Sequence, residues 1–234
     1  MNEADITTFY VLDLDRTLLD TVKAADLFRL VVAEWSVELS RALAQEVEDY
    51  SLRGKSFSMR DFIAERVGAE QAVEMEAAFI RGVADQNLLN DGARELMAAI
   101  TALPGADFGI LTYGSPAGQL MKIRAAGLSN IQNLVTREAF KGQQIASWRG
   151  DDGLYHIPEA LGGTRATTVV LIDDKSFSFQ GLAPDCRGYW ISPLRETGEE
   201  HPIATVVPVR TLFEIIDQEL VLVANNTVKL PASN

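Results

Sequence analysis

The sequence predicts an α/β protein: a mainly parallel sheet covered by helices, with an all-helical block inserted near its start. Three observations lead there. Short apolar runs rich in β-formers, such as Phe9-Tyr10-Val11-Leu12, Phe108-Gly109-Ile110-Leu111 and Thr168-Val169-Val170-Leu171-Ile172, alternate with helical stretches. The block from about 20 to 89 departs from that alternation and shows only helical spacing. The strand-like runs close on short polar residues, Asp13, Thr112 and Asp173, at the end where open parallel sheets gather their ligands.

Taken in order, the first run is short and apolar throughout, the pattern of a strand buried on both faces. From about Thr21, the residues Phe28, Val32, Trp35, Leu39, Leu43 and Val47 recur at helical spacing, with Trp35 expected in the packed core of the block. A loop over 51–58 carries Arg53, Gly54 and Lys55, and with Arg60 it offers a basic stretch. Helices follow near 59–67 and 69–86, the second with Val73, Ala77, Ile80 and Ala84 on one face. Asp91 is a candidate N-cap for a helix that Pro104-Gly105 ends. Ser115-Pro116 fits an N-cap with proline at the first helical position, for a helix running to about Ala126. Further strands are expected over 131–135 and 188–191, and a last helix over about 210–223.

Composition narrows the function. With 47% hydrophobic residues in 234, the chain can bury a sizeable core. Its formal net charge of −12 argues against a general nucleic-acid binder, which needs a basic face, and against a polybasic membrane anchor. The single cysteine, Cys186, forms no internal disulfide and builds no zinc site, which fits a reducing compartment. The start is acidic and no apolar run approaches the length of a membrane helix, so a soluble, cytoplasmic protein is expected.

The acids carry the chemistry. Asp13 and Asp15 follow one strand and Asp173 and Asp174 another, so four carboxylates aim at one place. Like charges gathered this way repel unless a cation joins them, and a hard divalent ion with oxygen ligands suits them. Asp after a strand is common in turns and N-caps, but two such clusters after long apolar runs are not explained by turn preference alone. Thr112 lies between them in sequence, and its hydroxyl can donate to a phosphate oxygen. His156 after Asp151-Asp152-Gly153 reads as a surface turn, and Trp148 and Trp190 carry no readable role.

These residues resemble a known pattern. Asp13-Leu14-Asp15-Arg16-Thr17-Leu18-Leu19 resembles the first signature of the haloacid dehalogenase-like hydrolases. Ile110-Leu111-Thr112-Tyr113-Gly114 resembles their second, and Leu171-Ile172-Asp173-Asp174 their fourth. The third signature is a lysine. Lys141 lies where that family often has Lys-Pro, with Gly142 in place of the proline; Lys122 and Lys175 are the other candidates, Lys122 inside a helix where it could be a surface residue.

The resemblance implies a Rossmann-like core over 1–19 and 90–234, with residues 20–89 as a helical cap. It implies that Asp13 attacks phosphorus to give an aspartyl-phosphate and that Asp15 serves as acid and then base. Mg²⁺ would be held by the Asp13 carboxylate, the Asp15 carbonyl and Asp174, with Asp173 sharing the metal or supporting it. Thr112 and Lys141 would hold the phosphoryl oxygens. The dehalogenases of the family lack an acid at the Asp15 position, which favours hydrolysis of a small phosphorylated metabolite. A phosphosugar mutase and a catalytically idle binding protein are the alternatives. Oligomeric state is not readable.

Overall fold

The computed structural model describes residues 6–52, 57–192 and 200–227. The chain starts with strand β1 (Ile6–Leu12) and then runs through four helices: α1 (Thr21–Trp35), α2 (Val37–Leu52), α3 (Met59–Val67) and α4 (Ala69–Gly82). It returns to the sheet through α5 (Ala93–Ala102), β2 (Ala106–Tyr113), α6 (Pro116–Ala125), β3 (Asn133–Thr136) and α7 (Lys141–Ala146). The remainder is β4 (Tyr155–His156), β5 (Arg165–Asp173), β6 (Arg187–Ile191), β7 (Val206–Val209) and α8 (Leu212–Thr227). The described strands form one sheet in the order β3-β2-β1-β5-β6-β7, all parallel, with the short β4 antiparallel to β5.

β1 is the centre of the sheet, and its side chains alternate between two cores as the twofold repeat of a strand requires. Tyr10 and Leu12 enter a core shared with α1–α6 and α8, whereas Phe9 and Val11 enter a second core with Ile145, Tyr155 and Phe179. Burial on both faces explains why the run is apolar throughout. The chain builds β2 and β3 on one side of β1, then crosses to build β5, β6 and β7 on the other. The order therefore reverses at β1, where open α/β sheets leave a crevice beyond their strand ends.

Several expected elements shift. The first helical stretch is two helices, because the chain turns extended at Ser36, whose hydroxyl accepts from the Leu39 N–H at 3.1 Å. Leu39 and Leu43 beyond the break are buried as expected, but Trp35, the last residue of α1, is 43% exposed and not in the core. On α4 the buried face is Ala72, Met75, Glu76 and Phe79, and Val73 and Ala84 are exposed. The bulkier Met75 and Phe79 set the phase, with Phe79 edge-on to Phe28 at 5.2 Å. Gly92, not Asp91, caps α5, in a left-handed conformation at φ +84° where an added Cβ would meet Leu212 and Phe213. Ser115 caps α6 as expected, accepting from Gly118 N–H, with Pro116 in the first turn. The third strand lies at 133–136 and the last helix at 212–227, each displaced by about two residues. β4 and β7 had no sequence signal, being two and four residues long. The basic residues Arg53 and Lys55 lie outside the described residues. Arg60 is engaged in structure: it pairs at 3.3 Å with the buried Glu76, which Arg124 of α6 also grips. Among the described residues, no helix is long and apolar enough to cross a membrane.

Candidate active site

Strand register brings the acids together. Leu12 pairs with Ile172, and the Asp13 N–H donates to the Ile172 carbonyl at 2.9 Å, which sets Asp13 beside Asp173. Asp13, Asp173 and Asp174 each offer a carboxylate oxygen within 4.8 Å of the others. Leu12 also pairs with Ile110, which places Thr112 at the carboxyl-terminal end of the neighbouring strand β2. Thr112 is 1% exposed, and its hydroxyl has no hydrogen-bond partner among the described residues.

Two lysines meet the acids, and Lys141 is the one at the Asp13 cluster. Its ammonium, buried at the start of α7, contacts the Asp13 carboxylate and lies 2.7 Å from Asp173. Gly142 follows in a place where only glycine fits, since a Cβ would lie 2.6 Å from the Phe179 carbonyl. The second oxygen of Asp173 accepts the Lys175 N–H at 2.8 Å, so protein donors occupy both its oxygens. The Lys175 ammonium instead lies over the Phe177 ring.

Lys122 is not a surface residue. It is buried on α6 and grips both oxygens of Asp15, at 2.7 and 2.9 Å. Gln119, one turn earlier on the same face, donates to Asp15 at 2.9 Å, and the Thr21 hydroxyl donates from the start of α1 at 2.9 Å. The chain reaches this geometry through a tight turn in which Leu18 and Leu19 N–H groups both donate to the Leu14 carbonyl. Arg16 sits in that turn with φ +63°, a conformation that non-glycine residues rarely take. The Asn90 side-chain amide ties the turn down by donating to the carbonyls of Arg16, Thr17 and Leu19. Sequence reasoning missed Gln119, Thr21 and Asn90; only the i, i+3 spacing of Gln119 and Lys122 hinted at a shared polar face.

The electrostatics divide the acids into two kinds. Burial pushes Asp13 up to about 7; Lys141 opposes this, and Asp173 and Asp174 add to it. Burial, then the Asp173 charge, pushes Asp174 up to about 6. For Lys141, burial works against the charged form, but Asp13 and Asp173 together outweigh it and hold the ammonium above its usual range. For Asp15, burial is outweighed by Lys122 first, then by Gln119 and Thr21, which hold it below the usual carboxylate range. Lys141 pairs with only two of the three clustered carboxylates, and Lys175 and Arg16 only partly offset the burial of the third, Asp174, whereas Asp15 is fully compensated.

A hard cation fits that cluster. All its donors are oxygens, and Asp174 Oδ1 is buried with no hydrogen-bond partner among the described residues. This donor set fits an oxygen-coordinated divalent ion and offers no sulfur or imidazole for a softer one.

Neither a family model nor a curated protein sequence matches the chain. Solved structures do. A haloacid dehalogenase-like hydrolase of Burkholderia xenovorans superposes with a TM-score of 0.58 at 18% identity, covering 92% of this chain and 97% of that one. YfnB of Bacillus subtilis, described as a HAD-hydrolase bound to magnesium, gives 0.52 at 18% identity over 92% and 99% of the two chains. It has the haloacid dehalogenase-like fold. L-2-haloacid dehalogenase of Xanthobacter autotrophicus, with chloropropionic acid covalently bound, shares that fold with a TM-score of 0.51 at 16% identity over 92% and 98%. Within the haloacid dehalogenase-like fold of this chain, the acid cluster lies at the carboxyl ends of the central strands, and α3 and α4 of the helical insertion pack on α6.

Proposed function

We propose that the protein is a Mg²⁺-dependent phosphatase that hydrolyses a small phosphomonoester through an aspartyl-phosphate on Asp13. The observation that carries this reading is the gathering of acids: the Lys141 ammonium pairs with Asp13 and Asp173 only, and the half-buried Asp174 carboxylate stands within 4.8 Å of both with a buried oxygen that has no hydrogen-bond partner among the described residues. A phosphate dianion approaching such a cluster needs a divalent cation beside it, whereas metal-free dehalogenation leaves the acid at Asp174 without a role.

Asp13, Asp174 and the Asp15 carbonyl would hold Mg²⁺, with Asp173 anchoring Lys141. The bound ion supplies charge neutralisation at the phosphoryl oxygens. Lys141 and the unpaired Thr112 hydroxyl would take the remaining phosphoryl oxygens and align the phosphorus with Asp13. Asp13 attacks and the phosphorus–oxygen bond to the leaving group breaks; an alkoxide leaving group takes its proton from the minor protonated form of Asp15, whereas an aryl oxide departs without one. Ionised Asp15 then takes a proton from the water that attacks the phosphorus of the aspartyl-phosphate; the phosphorus–oxygen bond to Asp13 breaks, which restores its carboxylate and frees inorganic phosphate. Held ionised by Lys122, Asp15 suits the second half, so leaving groups that need no proton, such as aryl oxides, would react fastest. Residues 20–89 would serve as a cap that excludes water and restricts the substrate to small phosphorylated metabolites.

Dehalogenation is the second reading, because a carboxylate nucleophile at Asp13 serves it equally and a dehalogenase shares the fold. One experiment separates them. Hydrolysis of p-nitrophenyl phosphate and halide release from 2-chloropropionate are followed with Mg²⁺ and with chelator, for wild type and Asp13→Asn. Phosphate release that needs the metal and falls by at least about 10³-fold in the variant is expected. Halide release in chelator with no phosphate release would replace this reading by the second.

A further inference from the structure

Trp190 and His201 lie outside the acid cluster, yet both bear on the turn that carries Asp174. Trp190 pairs in register with Asp173, so its indole lies beside the turn that follows. Its Nε1–H donates to the Asp174 carbonyl at 3.1 Å. His201, buried, holds the same turn two residues further on. Its Nδ1 accepts the Ile203 N–H at 3.1 Å, which in the neutral ring leaves the proton on Nε2. That Nε2–H faces the Ser176 hydroxyl at 2.9 Å and the Ser176 carbonyl at 3.2 Å. His201 is therefore a donor to Ser176, the reverse of what a Ser–His nucleophile pair requires. The imidazole stands edge-on to Trp190 at 5.6 Å and to Phe179 at 5.4 Å, so the rings fix one another's rotamers. Asp174 Oδ1 itself has no partner among the described residues. The backbone of this turn, held by two ring N–H groups, is what aims it.

We propose that Trp190 and His201 are positioning residues that hold the Asp174 carboxylate in the geometry a small divalent cation demands. This rests on the metal-centre reading above. Partners of this outer kind orient a ligand without touching the ion. Mg²⁺ requires near-ideal octahedral geometry, whereas Ca²⁺ accepts irregular coordination, so a loosened turn penalises Mg²⁺ more.

The test is calorimetric titration of the full chain with MgCl₂ and, separately, CaCl₂. Trp190→Phe keeps a ring and removes the donor; His201→Phe keeps the ring stack and removes the contacts to Ser176 Oγ, the Ser176 carbonyl and the Ile203 N–H. Each is expected to weaken Mg²⁺ binding about tenfold. Ca²⁺ binding should weaken by less than about threefold. The metal-free melting temperature of Trp190→Phe should stay within about 2 °C of wild type. Unchanged Mg²⁺ affinity in Trp190→Phe, or equal weakening of both ions, overturns the positioning role. A wild-type chain that binds neither ion overturns the metal-centre reading instead, so the two failures are told apart.

Discussion

Two buried polar networks hang on the central strand, and they are built to opposite rules. At one end, Asp13 and Asp173 share the ammonium of Lys141, and Asp174 crowds against them with no direct contact to it. Three residues earlier on β1, Tyr10 joins a network in which the numbers are reversed: one carboxylate, Glu219 of α8, receives three side chains. Tyr10 donates at 2.5 Å, Tyr189 at 2.6 Å, and Arg187 grips both oxygens at 2.7 and 3.2 Å. That carboxylate is saturated with donors and cross-links α8 to β1 and β6. The first network is short of donors, and its acids rise to about 7 and about 6. A satisfied buried network stabilises a fold, and an unsatisfied one persists where a ligand completes it.

Glu219→Ala should show the largest effect that separates them. It strips Arg187, Tyr10 and Tyr189 of their acceptor and should cost about 3 kcal/mol of unfolding free energy in urea titration. Mg²⁺ affinity of the folded fraction should be unchanged, and a loss of metal binding here would join what the comparison separates. Asp174→Asn should do the reverse. With chelator at pH 7.5 it should leave stability unchanged or raise it by about 1 kcal/mol, since a repelled carboxylate is removed. The stabilisation that Mg²⁺ gives wild type should vanish. A substantial stability loss in chelator would show that Asp174 is already well compensated. The smallest effect lies in alkali. Burial first, then Glu219, raises the Tyr10 and Tyr189 hydroxyls well above the usual tyrosine range. The folded state therefore keeps protons that the unfolded state loses above about pH 10, and stability falls as pH rises past that point. Tyr189→Phe should be less stable at neutral pH by about 1 kcal/mol and should show a shallower alkaline decline. An equally steep decline in the variant would remove Tyr189 from the network.

The two networks also differ in how far the sequence announced them. The acid cluster was legible because each of its members ends an apolar strand, and strand ends in a parallel sheet converge. Asp13, Thr112, Asp173 and Asp174 could be read off in this way, and Lys141 stood next to a glycine that the structure shows to be sterically required. The Glu219 network was invisible. Its members lie at 10, 187, 189 and 219, with no motif and no shared spacing, and α8 meets β1 and β6 only through the fold. Lys122 failed for a related reason: a lysine within a helix is usually solvated, and only the turn that delivers Asp15 gives it a buried partner. The helical block was legible as helices, and Phe28, Val32, Leu39 and Leu43 are buried as their spacing implies; Trp35 was misjudged because it is the last residue of α1, which ends at Ser36, and on α4 the buried face is not the expected one.

Glu76 has a consequence for how the helical insertion is fastened. It is buried on α4, and Arg60 of α3 and Arg124 of α6 meet on its two oxygens. Arg60 belongs to the same insertion and is itself well covered, whereas the Arg124 side chain is 49% exposed. If the insertion moves off α6, the carboxylate departs with its own counter-ion and only a half-hydrated guanidinium is left behind. The bond between insertion and sheet is thus a rivet that can be drawn without stranding a bare charge on either side. Its grip weakens as ions crowd the solvent, so ionic strength becomes a dial on how often the two halves part.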